Sequence, residues 1–171
     1  MQEVYHPIIA FYLGLQPDTE GRKIEEIWGW SYGRLEAIHD FIQWLFPLRD
    51  KSMVNLDAPV LNKEVIEKVK NSEELRSRLL HSFELMLGFY GLELVGNEVC
   101  LGDNFEERKQ NWLRRGNHNF LRITRILKCL GYLGLKKEAV AFFGCLQKIY
   151  EQEGDKIGSV TFGYWQAAVR D

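Results

Sequence analysis

Leu75, Leu79, Phe83, Met86, Leu87 and Tyr90 recur at spacings of three, four and one. That spacing puts them on one stripe of an α-helix and is incompatible with a strand, whose side chains alternate with period two. The pattern returns elsewhere. Leu35, Ile38, Phe41, Ile42 and Leu45 predict a helix that Pro47 ends, because the residue before a proline avoids the helical region. Asn71 and Glu74 read as a capping box opening the long helix, which closes at Gly91. Asp103 with Glu106 predicts a start for a helix running through Trp112. Asn117 or Asn119 caps the next, with Leu121, Ile123, Leu127 and Leu130 inward and Gly131 or Gly134 after it. A further helix runs from Lys136 to Glu153 on Ala139, Phe142, Phe143, Leu146 and Ile149. Shorter helices are predicted near Ile8–Leu13, Ile24–Trp30, Leu61–Val69 and Val160–Val169. One segment breaks the helical rule. Leu92-Glu93-Leu94 and Val99-Cys100-Leu101 alternate about Gly96-Asn97, which reads as a β-hairpin near 92–101. The expected fold is all-α: seven to nine helices in one compact bundle-like domain over residues 1–171, with that hairpin.

The 171 residues, 46% hydrophobic and 27% charged, suit one globular domain and exclude a disordered chain. The longest uncharged stretches, 4–17 and 157–169, fall short of the roughly 20 apolar residues of a membrane-spanning helix. The start, Met1-Gln2-Glu3-Val4, lacks the basic region of a secretory signal. Cys100, Cys129 and Cys145 form no CxxC pair, as expected of reduced thiols in a cytoplasmic protein.

Net charge is −2, which argues against a large nucleic-acid footprint. The charge is unevenly spread. Between Glu107 and Glu138 there are no acids and nine cations: Arg108, Lys109, Arg114, Arg115, Arg122, Arg125, Lys128, Lys136 and Lys137. Either this segment is a basic face on an acidic body, or acids from elsewhere fold over it.

On a helix, His118, Arg122, Arg125 and Cys129 share one stripe. Two arginines a turn apart, with His118 and the Asn119 amide near a helix N-terminus, form a candidate anion clamp. Arg108, Gln110 and Asn111 on the preceding helix are candidates for its wall. The alternative is that Arg122 and Arg125 pair with carboxylates such as Glu84 or Asp40 and pin helices together. His39 and Gln43, at i and i+4, form a second candidate pair, or simply pack. The four histidines are scattered, so no metal site is expected. No nucleophile turn and no Gly-rich phosphate loop exists, so no cofactor is expected. Trp44 reads as core; Trp28 and Trp30 read as core or as the rim of a groove.

Three phrases go beyond generic helix: His39-Asp-Phe-Ile-Gln-Trp-Leu-Phe-Pro-Leu-Arg49, Glu84-Leu-Met-Leu-Gly-Phe-Tyr-Gly91, and His118-Asn-Phe-Leu-Arg-Ile-Thr-Arg-Ile-Leu-Lys128 with Leu130-Gly131 and Leu133-Gly134. Phe11-Tyr12, Arg108 with Gln110-Asn111, Tyr164-Trp165 and Ala168-Val169-Arg170 accompany them. In order and spacing the chain resembles the conserved domain of the opioid growth factor receptor family over nearly its whole length, as a bare domain without the long tail of the animal receptors. Phe120 and Tyr132 depart from the family pattern. The resemblance implies a receptor for a small peptide, with membrane or nuclear-envelope association by analogy. The leading expectation is a non-enzymatic receptor-like module holding a peptide or anionic group at the Arg/His cluster. One alternative is nucleotide or single-stranded nucleic-acid binding through 108–137, with Trp112 as a stacking surface. Another is an enzyme using His118 or His39 as base.

Overall fold

The computed structural model describes residues 4–170; residues 1–3, used in the reading of the chain's start, and residue 171 lie outside it. The described residues are mostly helical, with one two-stranded antiparallel sheet. They fall into two compact units that divide between Ser82 and Phe83, inside the longest of the predicted apolar stripes.

The first unit contains α1 (Pro7–Tyr12), α2 (Ile24–Trp28), α3 (Tyr32–Ala37), α4 (Ile42–Leu45), α5 (Lys63–Lys70) and the first half of α6 (Glu73–Tyr90). Its core is aromatic. Phe11 lies 5.2 Å from Trp44 and Trp30 lies 5.4 Å edge-on to Phe41, centroid to centroid. Trp30 and Trp44 are both buried, while Trp28 is half-buried and donates its indole N–H to Ser82 Oγ at 2.9 Å. The Tyr12 hydroxyl donates to the Leu45 carbonyl at 2.7 Å, and Arg78 bridges the Tyr12 carbonyl and Glu25 at 3.0 and 2.9 Å.

The helix expected over 35–45 is two helices. Ile38 adopts an extended conformation, with ψ of 131°, which ends α3. Two interactions hold the interruption in place. The Arg22 guanidinium, itself paired with buried Asp18 at 2.8 Å, reaches Asp40 at 2.9 Å. Asn55 Nδ2 donates to the Asp40 carbonyl at 3.2 Å. The cap at the start of α6 also differs by one residue. Ser72 Oγ accepts from Leu75 N, whereas Asn71 ends α5.

The second unit contains the rest of α6, β1 (Leu92–Val95), β2 (Glu98–Leu101), α7 (Phe105–Trp112), α8 (Asn119–Tyr132), α9 (Lys136–Ile157) and α10 (Ser159–Arg170). The hairpin turns at Gly96-Asn97 and pairs Leu92 with Leu101 and Val95 with Glu98. Helices α8, α9 and α10 pack on one another, and β2 lies against α9. Phe83–Phe142 and Phe120–Trp165 ring contacts at 5.5 and 5.7 Å fill the space between them.

The carboxyl end of α6 organises this unit. A helix end leaves its last carbonyls without intrahelical partners. Here Asn104, which caps α7, and two side chains of α7 supply donors at four-residue intervals. Asn104 Nδ2 reaches the Gly88 carbonyl at 3.5 Å, Arg108 Nε the Phe89 carbonyl at 2.8 Å, and Trp112 Nε1 the Tyr90 carbonyl at 2.9 Å. The next carbonyl, on Gly91, accepts from Gly102 N at 2.8 Å. This close docking requires glycine at 91. Its φ is +83°, and a Cβ there would stand 2.7 Å from the Phe105 Cα and 2.9 Å from the Arg108 Cβ. Left-handed strain and backbone overlap together predict that Gly91→Ala costs about 2–5 kcal/mol. Its melting temperature should then fall by roughly 4–20 °C. Gly96, also at positive φ but with nothing within 4 Å of its Cβ position, supplies the control. Gly96→Asn should cost under about 1 kcal/mol, because asparagine tolerates this conformation. Thermal unfolding of the two variants checks both values.

Candidate functional site

The residues expected to form an anion clamp lie at the amino end of α8. Asn117 Oδ1 accepts from the backbone N–H and the side-chain amide of Asn119, at 2.9 and 3.0 Å. This holds the first turn, and His118 occupies the N-cap position without a side-chain capping bond. Asn119 is fully buried. Its Oδ1 accepts from Arg122 Nη1 at 3.4 Å and from the Tyr90 hydroxyl at 3.5 Å, and its Nδ2 lies 3.5 Å from His118 Nε2. Arg122 is 5% exposed. Arg125 is partly buried, and desolvation pushes its guanidinium pKa below the ordinary value. His118 is the exposed member.

The structure therefore brings His118, Asn119 and Arg122 into one hydrogen-bonded cluster. Two other expected members are engaged nearby in the chain. Arg108 donates to the Phe89 carbonyl and lies 5.0 Å over the Phe89 ring. The Asn111 carbonyl accepts from Asn117 Nδ2 at 3.3 Å. His39 and Gln43 do not share a helical face, because the chain is interrupted between α3 and α4. Gln43 is buried and accepts from Asn55 Nδ2 at 3.3 Å, whereas His39 is exposed. Asp40, one of the suggested partners for the α8 arginines, pairs with Arg22. Among the described residues, no group of three or more His, Cys, Asp and Glu is placed to hold a metal ion, and no helix is long and apolar enough to cross a membrane.

The second unit also has a cavity that the residue pattern did not single out. About 470 Å³ of space lies between β2, α7 and α9, walled by Val99, Leu101, Phe105, Cys145 and Ile149. That falls within the size range of small-ligand sites, and so does the mix of apolar walls with a few polar groups. Lys109, Lys148, Glu98, Glu106 and Glu153 also line it. Glu153 interrupts α9 with non-helical φ and ψ of −129° and 31°. Its carboxylate meets Lys156 at 3.0 Å and Lys109 at 3.8 Å. The available sequence signal was a stripe of small residues inside a long helix, Ala141, Gly144 and Cys145, at a spacing that points one way.

Burial pushes the Cys145 thiol up to about 11, against 9.0 for an unburied thiol, and the neighbouring Cys100 adds to the effect. A raised pKa in the folded state means that the stability it contributes is complete below pH 9 and lost as pH rises through 11. A shift of this size corresponds to roughly 2–3 kcal/mol. The melting temperature of the wild-type chain should therefore fall more steeply between pH 9 and 11 than that of Cys145→Ala. Parallel slopes would contradict the burial assignment.

Comparison with known sequences agrees with the motifs. The family model described as the opioid growth factor receptor (OGFr) conserved region matches residues 6–171. The opioid growth factor receptor of Mus musculus is 46% identical over 137 residues, 75% of this chain and 21% of the relative. That of Homo sapiens is 40% identical over 173 residues, 96% of this chain and 25% of the relative. The opioid growth factor receptor-like protein 1 of Mus musculus is 38% identical over 172 residues, 95% of this chain and 36% of the relative. The chain thus spans about a fifth to a third of these relatives' length. No solved structure matches it. With the match running through nearly every described element, the chain belongs to the opioid growth factor receptor family.

Proposed function

We propose that this chain is a receptor-like binding module and that its ligand, a peptide or an amphipathic anion, docks in the groove between β2, α7 and α9. The observation that carries this reading is the open apolar cavity itself, walled by residues of three elements. The relatives' name, opioid growth factor receptor, supports a peptide as the ligand. The same reading places the module in a reducing, cytoplasm-like compartment, supported by three cysteines in thiol form.

In this reading the cluster at the start of α8 is architectural. A buried guanidinium bonded to a buried amide holds the first turn of α8 and the Tyr90 hydroxyl in register. A second reading, favoured by exposed His118 at the helix amino end, places an anionic group of the ligand there. Nucleic-acid binding has less support. Within 108–137, Arg122 is buried, Arg108 is bound to a carbonyl, and Lys109 pairs with Glu106 at 2.8 Å. Arg114, Arg115, Lys136 and Lys137 are the exposed remainder.

One variant separates the two placements. Arg122→Ala leaves buried Asn119 short of a donor, at a cost of roughly 1.5–3 kcal/mol. The melting temperature should drop by about 3–12 °C while a groove ligand still binds. An unchanged melting temperature with binding lost would move the ligand to the cluster. Salt decides the nucleic-acid alternative. Affinity for an oligonucleotide that falls steeply between about 50 and 200 mM salt would support phosphate contacts. A peptide seated in an apolar groove should lose little over that range. Calorimetric titration at the two salt concentrations makes the comparison.

A further inference from the structure

We infer that Cys100 and Cys145 form a reversible, peroxide-driven disulfide that joins β2 to α9 across the cavity of the second unit. Both are free thiols and both line that cavity, Cys100 from the strand and Cys145 from the helix. The two elements pack together, with Cα atoms of one within 8 Å of the other. A disulfide spans a Cα separation of roughly 4.4–6.8 Å, so the two walls stand near the spacing it needs. The hairpin is a sheet of two strands, so a small shift of β2 toward α9 disturbs no ladder beyond its own. The thiols also act on each other. Burial raises the pKa of Cys145 most, Cys100 raises it further, and Lys148 opposes them. Electrostatic effects fall with distance, so this coupling marks the two sulfurs as neighbours. Cys129, by contrast, is buried in α8 and does not line the cavity.

Exposure assigns the roles. Cys100 is half-exposed, so hydrogen peroxide in solution reaches it first. Its thiolate sulfur attacks one peroxide oxygen and the O–O bond breaks. The sulfur becomes a sulfenic acid, and the departing hydroxide takes up a proton and leaves as water. Cys145 is buried, and little of it is thiolate near neutral pH, which protects it from direct oxidation. It has only to meet the sulfenic sulfur beside it. Cys145 Sγ gives up its proton, bonds to Cys100 Sγ and displaces hydroxide, which leaves as a second water. In sum, two thiols and one hydrogen peroxide give one disulfide and two waters, and the two electrons lost by the sulfurs reduce the peroxide. A small-molecule thiol reopens the bond by exchange. In a reducing compartment such a pair stays open until oxidant arrives. The chemistry does not depend on the groove holding a ligand.

Peptide mapping tests the bridge. The full chain, reduced and then freed of reductant, is treated with hydrogen peroxide at neutral pH. It is alkylated under denaturing conditions, digested, and analysed by mass spectrometry without reductant. The peptides carrying Cys100 and Cys145 should appear joined, lighter by two hydrogens than their sum, and dithiothreitol should separate them. Cys129 should be recovered in its alkylated form. In Cys145→Ala the sulfenic acid on Cys100 has no thiol to close on and should accumulate. Dimedone added with the peroxide should then label Cys100 at least about tenfold more than in the wild type. Equal labelling in the two chains, a bridge from Cys100 to Cys129, or a bridge to a second chain would overturn the assignment. So would a wild-type chain whose cysteines all stay reduced while free cysteine in the same tube is oxidised. The wild-type map involves no substitution, so it decides the matter even where Cys145→Ala fails to fold.

Discussion

The second unit depends on how the carboxyl end of one helix is closed. Helix α6 finishes with the carbonyls of Gly88, Phe89 and Tyr90, the first of which also takes the Gly91 backbone N–H at 3.0 Å. Each is met by a side chain from α7 or its cap, at Asn104, Arg108 and Trp112. A buried carbonyl without a partner costs on the order of 1–3 kcal/mol, so the three bonds together fix where α7 lies. The Trp112 ring then stands 5.3 Å from Tyr90, edge to face, and adds apolar contact to the hydrogen bond. The hairpin leaves the helix through Gly91 and returns to it through Gly102, whose N–H closes on the Gly91 carbonyl. Everything that forms the groove is downstream of this junction: α7 on one side, β2 on another, and α9 beneath β2.

Much of this was legible in the residue pattern, for a physical reason. Long helices announce themselves because burying one stripe requires a period near 3.6, and α6, α8 and α9 each carry it. The hairpin was legible because alternation about Gly-Asn has few other structural solutions. The interruption between α3 and α4 was not, because Leu35, Ile38, Phe41, Ile42 and Leu45 keep a helical spacing across it. What defeats the helix is tertiary: Arg22, held by Asp18, captures Asp40 from 18 residues away. Local periodicity carries no information about such a partner. Among the described residues the split makes two helices, α3 and α4, where the spacing marks one.

The site was legible in a different measure. The stripe His118, Arg122, Arg125 suggested an anion clamp at the start of α8, and His118, Asn119 and Arg122 share one hydrogen-bonded cluster there. Spacing alone does not reveal how deeply a stripe is buried, and the depth changes its chemistry. Arg122 is 5% exposed and bonded to a fully buried asparagine, which in the proposed reading makes it part of the fold. Arg108 teaches the same lesson, since its guanidinium closes a helix end. The groove was missed because its walls come from segments far apart in sequence, Val99 and Leu101 from a strand and Cys145 and Ile149 from a helix. Its one local mark is the absence of side-chain volume in the middle of α9.

Two glycines show how such a mark can be read. At Gly91 the backbone has a positive φ, and the atoms of α7 fill the place of a side chain, so the fold itself demands glycine. At Gly144 the backbone is helical and the place of a side chain is empty. Alanine there would be more helical by roughly 0.5–1 kcal/mol and would collide with nothing. Gly131 in α8 and Gly163 in α10 are open in the same way, so what sets Gly144 apart is its place on the wall of the cavity. The same helix then interrupts its own regularity at Glu153, two turns on, where the carboxylate gathers Lys109 and Lys156 at the edge of the same space. A missing side chain over the cavity and an irregular turn beside its charged margin are both departures from what an efficient helix would contain. Their convergence on one groove distinguishes it from the α8 cluster, where each departure from solvent is answered by a bond within the fold.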